Sequence, residues 1–194
     1  MEMLETMGAS SAAQGGAPRK PEYGRAKRAN GQGAKATAGR GGVNVRLAKD
    51  AADIDAMIEM GRRLHAESRF RTLPLEIDRM QEVGRRGLKD GNPGLIVAER
   101  DGQMVGMAVV LLGEYYFAPV RTATVQLLYV LPEARGGAAA VKLLRALRRW
   151  SAENRAHDLH INVTTAIDTA RTDRFLRRMG FKQTGGNYVL EGVG

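Results

Sequence analysis

The chain of 194 residues suits one medium domain with an appendage better than two full domains. It has no cysteine and only three scattered histidines, which excludes disulfides, thiolate metal sites and a cysteine nucleophile and argues against any bound metal. No apolar run approaches the roughly 18 residues of a membrane-spanning helix, and the N-terminus lacks the features of a secretory signal, so we expect a cytoplasmic protein without membrane contact. The net charge of +9 favours an anionic partner, whether nucleic acid, an acidic protein surface or a phosphorylated cofactor.

Residues 1–42 have no apolar periodicity and are rich in glycine, alanine and basic residues. Such a segment cannot bury enough apolar surface to offset the entropy of ordering it, so it predicts a basic arm without structure of its own. Arms of this kind dock onto acidic proteins, larger assemblies or nucleic acid. Residues 43–194 are then expected to form the one folded domain.

Regular patterning begins after Gly42. Helical periodicity predicts four helices: one that starts at Asp50 or Asp53 and ends near Glu67, then Pro74–Lys89, Gly137–Ala156 and Asp168–Met179. Apolar and β-branched runs predict strands at Val43–Leu47, Gly94–Glu99, Met104–Leu112, Thr122–Val130 and Leu159–Thr164, with a last short hairpin of Lys182–Thr184 and Tyr188–Leu190. We find no internal repeat.

The most informative stretch is QLLYVLPEARGGAAA, residues 126–140, where a buried strand ends at Pro132 and a helix begins among small residues. Small residues at such a turn let main-chain amides approach an anion closely, and the start of a helix adds unpaired N–H donors with a favourable dipole. Arg135 at its mouth could add a charge-assisted contact. The pattern indicates a phosphate cradle, with a merely structural turn as the alternative.

This region resembles the central motif of the GNAT acyltransferases, in which a strand reading LYVxPxxR is followed by a pyrophosphate loop, Q/R-x-x-G-x-G/A, and a long helix. The matching residues are Leu128, Tyr129, Val130, Pro132 and Arg135, and the loop continues through Gly136, Gly137, Ala138, Ala139 and Ala140. The order of elements from residue 43 to residue 190 also agrees, and Met179-Gly180-Phe181 stands where the family's Gly-Phe pair belongs. The resemblance implies an α/β (α+β) fold with a mixed central sheet of about six or seven strands and about four flanking helices. One departure is Ala138, which replaces the loop's first glycine.

By that resemblance, acetyl-CoA or another acyl-CoA is the co-substrate, and the amides of residues 136–140 bind its diphosphate. Main-chain groups of Leu128 and Val130 would pair with the pantetheine arm like an added strand. Lys142, Arg145 or Arg171 would meet the nucleotide phosphate, although outward basic residues of a helix can equally form an ordinary solvated face.

The reaction implied is direct attack of an amine on the thioester. Many GNAT enzymes use a glutamate on the fourth strand as base and a tyrosine near the fourth helix as acid, whereas this chain has Gln126 and Leu176 near those positions. Substitutes are His65 or Glu67 as base, at the end of the first helix, and Tyr115 or Tyr116 as acid, at the end of the third strand. The alternatives are a surface histidine, a helix-end glutamate and packed aromatic rings.

The first hypothesis is therefore an N-acyltransferase, in the simplest case an acetyltransferase, that acts on an unidentified amine. A second is a GNAT-fold binding or structural protein with weakened catalysis, for example a component of a phage particle anchored through its arm. A third, nucleic-acid binding, rests on the arm and the net charge alone. Self-association into a homo-oligomer stays open.

Overall fold

The computed structural model describes residues 42–190, so the predicted basic arm lies outside the described residues except for Gly42. The strands in this range are β1 Asn44–Leu47, β2 Gly94–Arg100, β3 Gln103–Tyr115, β4 Ala118–Val130 and β5 Asp158–Ile161. The α-helices are α1 Ala51–Glu67, α2 Ile77–Asp90, α3 Ala139–Glu153 and α4 Thr169–Arg178, and two short 3₁₀ helices span Arg69–Thr72 and Pro132–Ala134. None of the helices in this range is both long enough and apolar enough to cross a bilayer.

The five strands form one sheet in the order β1-β2-β3-β4-β5. The first four are antiparallel neighbours, whereas β5 runs parallel to β4, so the sheet is mixed, as predicted. The predicted final hairpin is wrong, because residues 181–190 form no strand and the sheet has fewer strands than expected. The Gly185-Gly186-Asn187 turn signal is local, and Tyr188 and Leu190, which are 96% and 80% exposed, have no packing face to hold a hairpin in place.

Each face of the sheet carries its own apolar cluster. On one face, Leu143, Leu144 and Leu147 of α3 are completely buried against the sheet. The indole of Trp150 lies directly on Gly94 of β2, where an ideal Cβ atom would come within 2.5 Å of the ring. On the other face, α1 covers the sheet through Ile54, Met57, Ile58 and Met60, and Ile77 and Met80 of α2 pack against this cluster. Apolar residues at helical spacing thus meet alternating apolar residues of the strands.

Helix α1 is anchored at its start by two carboxylates. Asp50, one of the two predicted caps, accepts a hydrogen bond from the amide of Asp53 at 3.0 Å. Asp53 itself is buried and receives two hydrogen bonds from the Arg46 guanidinium, at 2.6 and 2.8 Å, which hold the pKa of its carboxyl group below the ordinary value. Arg46 also pairs with Glu99, so one guanidinium joins β1, α1 and β2.

Candidate active site

The sheet splits between β4 and β5. These strands pair only where Thr122–Val125 faces Asp158–Ile161. Val110 pairs with Val125 and Val109 with Leu127, so Gln126 has no partner on β3 and forms a β-bulge. Beyond this bulge β4 continues to Val130, while the chain after Ile161 leaves the sheet.

The split opens into a cavity of about 480 Å³, which we call the cleft. Its walls are the bulged end of β4, the segment after β5, the end of α1 and the start of α4. Its polar lining residues are His65, Ser68, Gln126, Tyr129, Arg135, Asn162, Thr164, Thr165 and Thr172. Along residues 126–130, β4 has no strand partner on the cleft side within the described part of the chain, so apart from the Val130 carbonyl its main chain is available to a ligand there.

A turn of small residues connects the end of β4 to α3. Gly136 has φ +86°, a left-handed conformation that a side chain would strain, and Ala138 has the helical angles φ −75° and ψ −12°. The residues from Gly136 to Ala138 are exposed, and no side chain caps α3. Within residues 42–190, the N–H groups of residues 136–141 donate to no main-chain acceptor. These free donors at the positive end of the helix dipole suit an anion, and Ala138 adopts a conformation that does not require the expected glycine.

Two guanidinium groups flank this turn. An Nη atom of Arg100, at the end of β2, lies 3.3 Å from the position that a Cβ atom would take on Gly137. An Nη atom of Arg171, near the start of α4, lies 3.9 Å from the corresponding position on Gly136. Neither arginine forms an ion pair with another residue in the range 42–190. The sequence analysis named Arg171 as a candidate but not Arg100, since a charged residue at the end of an apolar strand has no motif of its own.

Glu67 and Arg135 belong to one hydrogen-bonded network that closes the cleft near α1. The Glu67 carboxylate accepts hydrogen bonds from the Tyr129 hydroxyl and from an Nη atom of Arg135, the latter at 2.6 Å. Burial opposes its ionisation, but the two donors outweigh burial and lower the pKa of Glu67. Burial and the bond to Glu67 raise the pKa of Tyr129 to about 12. Arg135 also donates from Nε to the Val130 carbonyl at 3.0 Å, so that carbonyl already has a partner.

His65 and Gln126 both line the cleft. The Nε2 atom of His65 is buried and has no hydrogen-bond partner among the described residues. Leu176, at the position of the family's tyrosine, also lines the cleft and is only 9% exposed, so an apolar side chain replaces the hydroxyl there. No aspartate or glutamate is found among the described residues that line the cleft.

Tyr115 and Tyr116 lie at the opposite end of β4, and the structure does not bring them to the cleft. Tyr115 pairs with Ala118 at the start of β4, eight residues before Gln126, which places it about 26 Å away along the strand. Its hydroxyl donates to Asp158 at 2.7 Å, and this bond raises the pKa of Tyr115. Tyr116 is fully exposed at the hairpin tip. Sequence order alone could not show that β3 runs away from the cleft before β4 returns to it.

The basic residues of α3 have separate environments. Lys142 donates a hydrogen bond from Nζ to the carbonyl of Val43, so it ties α3 to the residue before β1. Arg145 is exposed on the helix surface. The geometry therefore favours Arg100 and Arg171 over both of these residues as contacts for an anion at the turn.

Known proteins share this architecture. An aminoglycoside N-acetyltransferase, AAC(6')-Iy, solved in complex with CoA, superposes with a TM-score of 0.65 at 15% identity, covering 82% of this chain and 100% of that one. A ribosomal-protein-alanine N-acetyltransferase from Brucella melitensis biovar Abortus 2308 gives a TM-score of 0.61 at 17% identity, covering 78% and 99%. An aminoglycoside 6'-N-acetyltransferase from Acinetobacter haemolyticus gives 0.59 at 16% identity, covering 77% and 97%. At such identities the likeness shows the fold alone.

Sequence comparison identifies the family. No curated protein matches the chain significantly. The model of the acetyltransferase (GNAT) family, in contrast, matches residues 58–181, which is more than half of the chain and includes the bulge, the small-residue turn and α4. The chain belongs to the GNAT acetyltransferase family.

Proposed function

We propose that this protein is an acyl-CoA-dependent N-acyltransferase that uses acetyl-CoA and transfers the acetyl group to an amine. The observation that carries the proposal is the cleft between β4 and β5, which is lined from the bulge at Gln126 to Arg135, the residue just before the unpaired amides of residues 136–141. An extended chain with a diphosphate at one end and a thioester at the other suits this path.

The diphosphate would lie on the amides of residues 136–140, where the helix dipole favours negative charge. Arg100 and Arg171 would contact its phosphate oxygens from the two sides of the turn. The pantetheine arm would run along residues 126–130 of β4, using main-chain groups that β5 does not pair. Arg135 would act mainly by holding the end of β4 in place, because its guanidinium is engaged by Glu67 and Val130.

In the reaction, the amine nitrogen attacks the thioester carbonyl carbon, a C–N bond forms and the C–S bond breaks. The nitrogen loses one proton, and the leaving thiolate takes up one to give the free thiol of CoA. Gln126 cannot accept the amine's proton. We assign this role to His65, directly or through water, because it lines the cleft with an unpartnered Nε2 atom and a histidine side chain is the commonest general base in enzymes.

The test is isothermal titration of the full chain with acetyl-CoA, for the protein itself and for Ala138→Asp. An aspartate there lies at the positive end of the α3 dipole, so we expect unchanged or higher thermal stability. Its charge would face the diphosphate, and we expect affinity to fall by about tenfold or more. Ala138→Asn is the control of equal size, and it should bind much more tightly than Ala138→Asp.

Absence of heat with acetyl-CoA, or equal affinity for the Asp and Asn variants, would contradict the proposal. Binding of acetyl-CoA without transfer to any amine would instead favour the alternative of a GNAT-fold binding protein. The observation that favours this alternative is that Leu176 and Gln126 line the cleft in place of the family's usual acid and base.

A further inference from the structure

A second cavity, of about 510 Å³, lies on the other side of the bulge, between the sheet and the α1–α2 pair. Gln126, Leu127, Leu75 and Met80 line both this cavity and the cleft. The two spaces are therefore adjacent at the part of β4 where a thioester in the cleft would end. A molecule in the second cavity could present an atom to that thioester without entering the cleft from the diphosphate end.

The lining of the second cavity is mainly hydrocarbon and thioether. Three methionines, Met57, Met80 and Met107, contribute to it together with branched aliphatic side chains. Its charged lining residues within the described range are Glu76 and Arg79, both exposed at the start of α2, and their charges cancel. Polar groups without partners are costly to bring into such surroundings, and several ammonium groups would be costlier still.

From this lining and its junction with the cleft we infer the class of acceptor: a primary amine carried on a mainly apolar aliphatic or aromatic body, with no second cationic group. This inference rests on the proposed function. The volume lies within the range of sites that bind compact organic molecules. Methionine side chains adapt to different shapes, so we expect tolerance among apolar bodies together with rejection of polycations.

The apolar surroundings also reduce the need for the carboxylate base that the described residues of the cleft lack. A desolvated ammonium group loses its proton more readily than one in water, so an amine held against Leu127 and Met80 is shifted towards its neutral, nucleophilic form. A substrate of this class therefore demands less of a general base than a fully hydrated amine would.

The experiment compares 2-phenylethylamine and hexylamine with spermidine and neamine on the full chain. Direct binding is measured calorimetrically without CoA, and transfer is followed by detecting free CoA with a thiol reagent, which the cysteine-free chain cannot itself consume. We expect the two monoamines to bind more tightly and to react with a kcat/KM at least about tenfold higher than the polycations. Equal or tighter binding of the polycations, or no binding of either monoamine, would overturn the inference.

A variant locates the binding. Val83 lines the second cavity from α2, and Val83→Phe should fill part of it, weakening 2-phenylethylamine binding by about tenfold while leaving acetyl-CoA affinity within about twofold. Gln81→Phe is the matched control, since Gln81 is a half-buried residue of the same helix that lines neither cavity. Unchanged amine binding in a folded Val83→Phe protein would also overturn the inference. Should that variant fail to fold, the comparison of amines on the unmodified chain still decides.

The two proposals fail differently. A loss of acetyl-CoA binding, or the absence of any acetylated product, would contradict the transferase while the amine titration still reports on the second cavity. A preference for polycations together with normal acetyl-CoA binding would remove only the assigned acceptor class.

Discussion

Glu67 and Arg135 form an ion pair with an N–O distance of 2.6 Å. This pair joins the end of α1 to the residue that precedes the small-residue turn. Because the Tyr129 hydroxyl donates to the other carboxylate oxygen, Glu67 has both oxygens engaged. We therefore propose that Glu67 positions the end of β4 and does not act as the base.

Glu67→Gln should therefore lower the free energy of unfolding by about 1–3 kcal/mol, since it removes a charged acceptor from two donors. Acetyl-CoA affinity should fall as the turn loosens, and the pH profile of kcat should keep its shape, whereas loss of a general base would change that profile. Urea unfolding, calorimetry and pH–rate curves measure the three effects. Glu133→Gln, which breaks the exposed pair with Arg63, is the control and should change stability little, because water screens that pair.

Tyr129 predicts a specific loss of stability in alkali. Its pKa is about 12 in the folded chain against an ordinary value of 10.0. As pH rises above 10, the unfolded tyrosine loses its proton first, so the stabilising contribution present below pH 10 disappears by about pH 12. Relative to Tyr129→Phe, the unmodified protein should lose about 1.4 kcal/mol of stability per pH unit in that window. Urea unfolding of both proteins from pH 8 upward tests this, and a constant difference between them would contradict it.

Arg100 and Arg171 should both contribute to CoA affinity. Replacing either by alanine removes a charge-assisted contact, and we expect about a tenfold weaker Kd together with a smaller dependence of Kd on salt. Calorimetry at two salt concentrations measures both. Arg149→Ala, on the exposed surface of α3, changes net charge equally and should have little effect. Equal losses in all three variants would indicate a general effect of charge.

His65→Gln should lower kcat by about a hundredfold or more if His65 accepts the amine's proton, and should leave acetyl-CoA binding unchanged. His157→Gln is the control, because that side chain is 71% exposed at the start of β5. An unaltered kcat in His65→Gln would remove His65 from the mechanism.

Gly94→Ala tests the packing under α3. The added methyl group would lie within 2.5 Å of the Trp150 ring, so we expect a loss of about 1–3 kcal/mol of stability. Gly113→Ala is the matched strand control, because a Cβ atom there meets nothing within 4 Å. Trp150→Leu should recover part of the loss in Gly94→Ala, which urea unfolding of the double variant would measure.

The fold could be read largely from local patterns. Burial periodicity located all four helices and the first five strands, and Asp50 was one of two predicted caps. The second helix begins at Ile77 rather than Pro74, which leaves Leu75 in a connecting segment that lines both cavities. The last hairpin failed because its turn signal carries no information about a packing partner for Tyr188 and Leu190.

The amino-acid sequence by itself determined the helix that starts among small residues, since glycine at a left-handed φ and unpaired amides are properties of a few consecutive residues. Only the tertiary structure decided that β4 parts from β5 at Gln126 and that Arg100 lies beside Gly137. It also decided that Tyr115 lies far from Gln126. These relationships join residues distant in the chain, and their geometry depends on how the sheet twists, bulges and packs against α1 and α3. Local propensity does not specify that packing, so the residues of the cleft come together only when the strands are assembled.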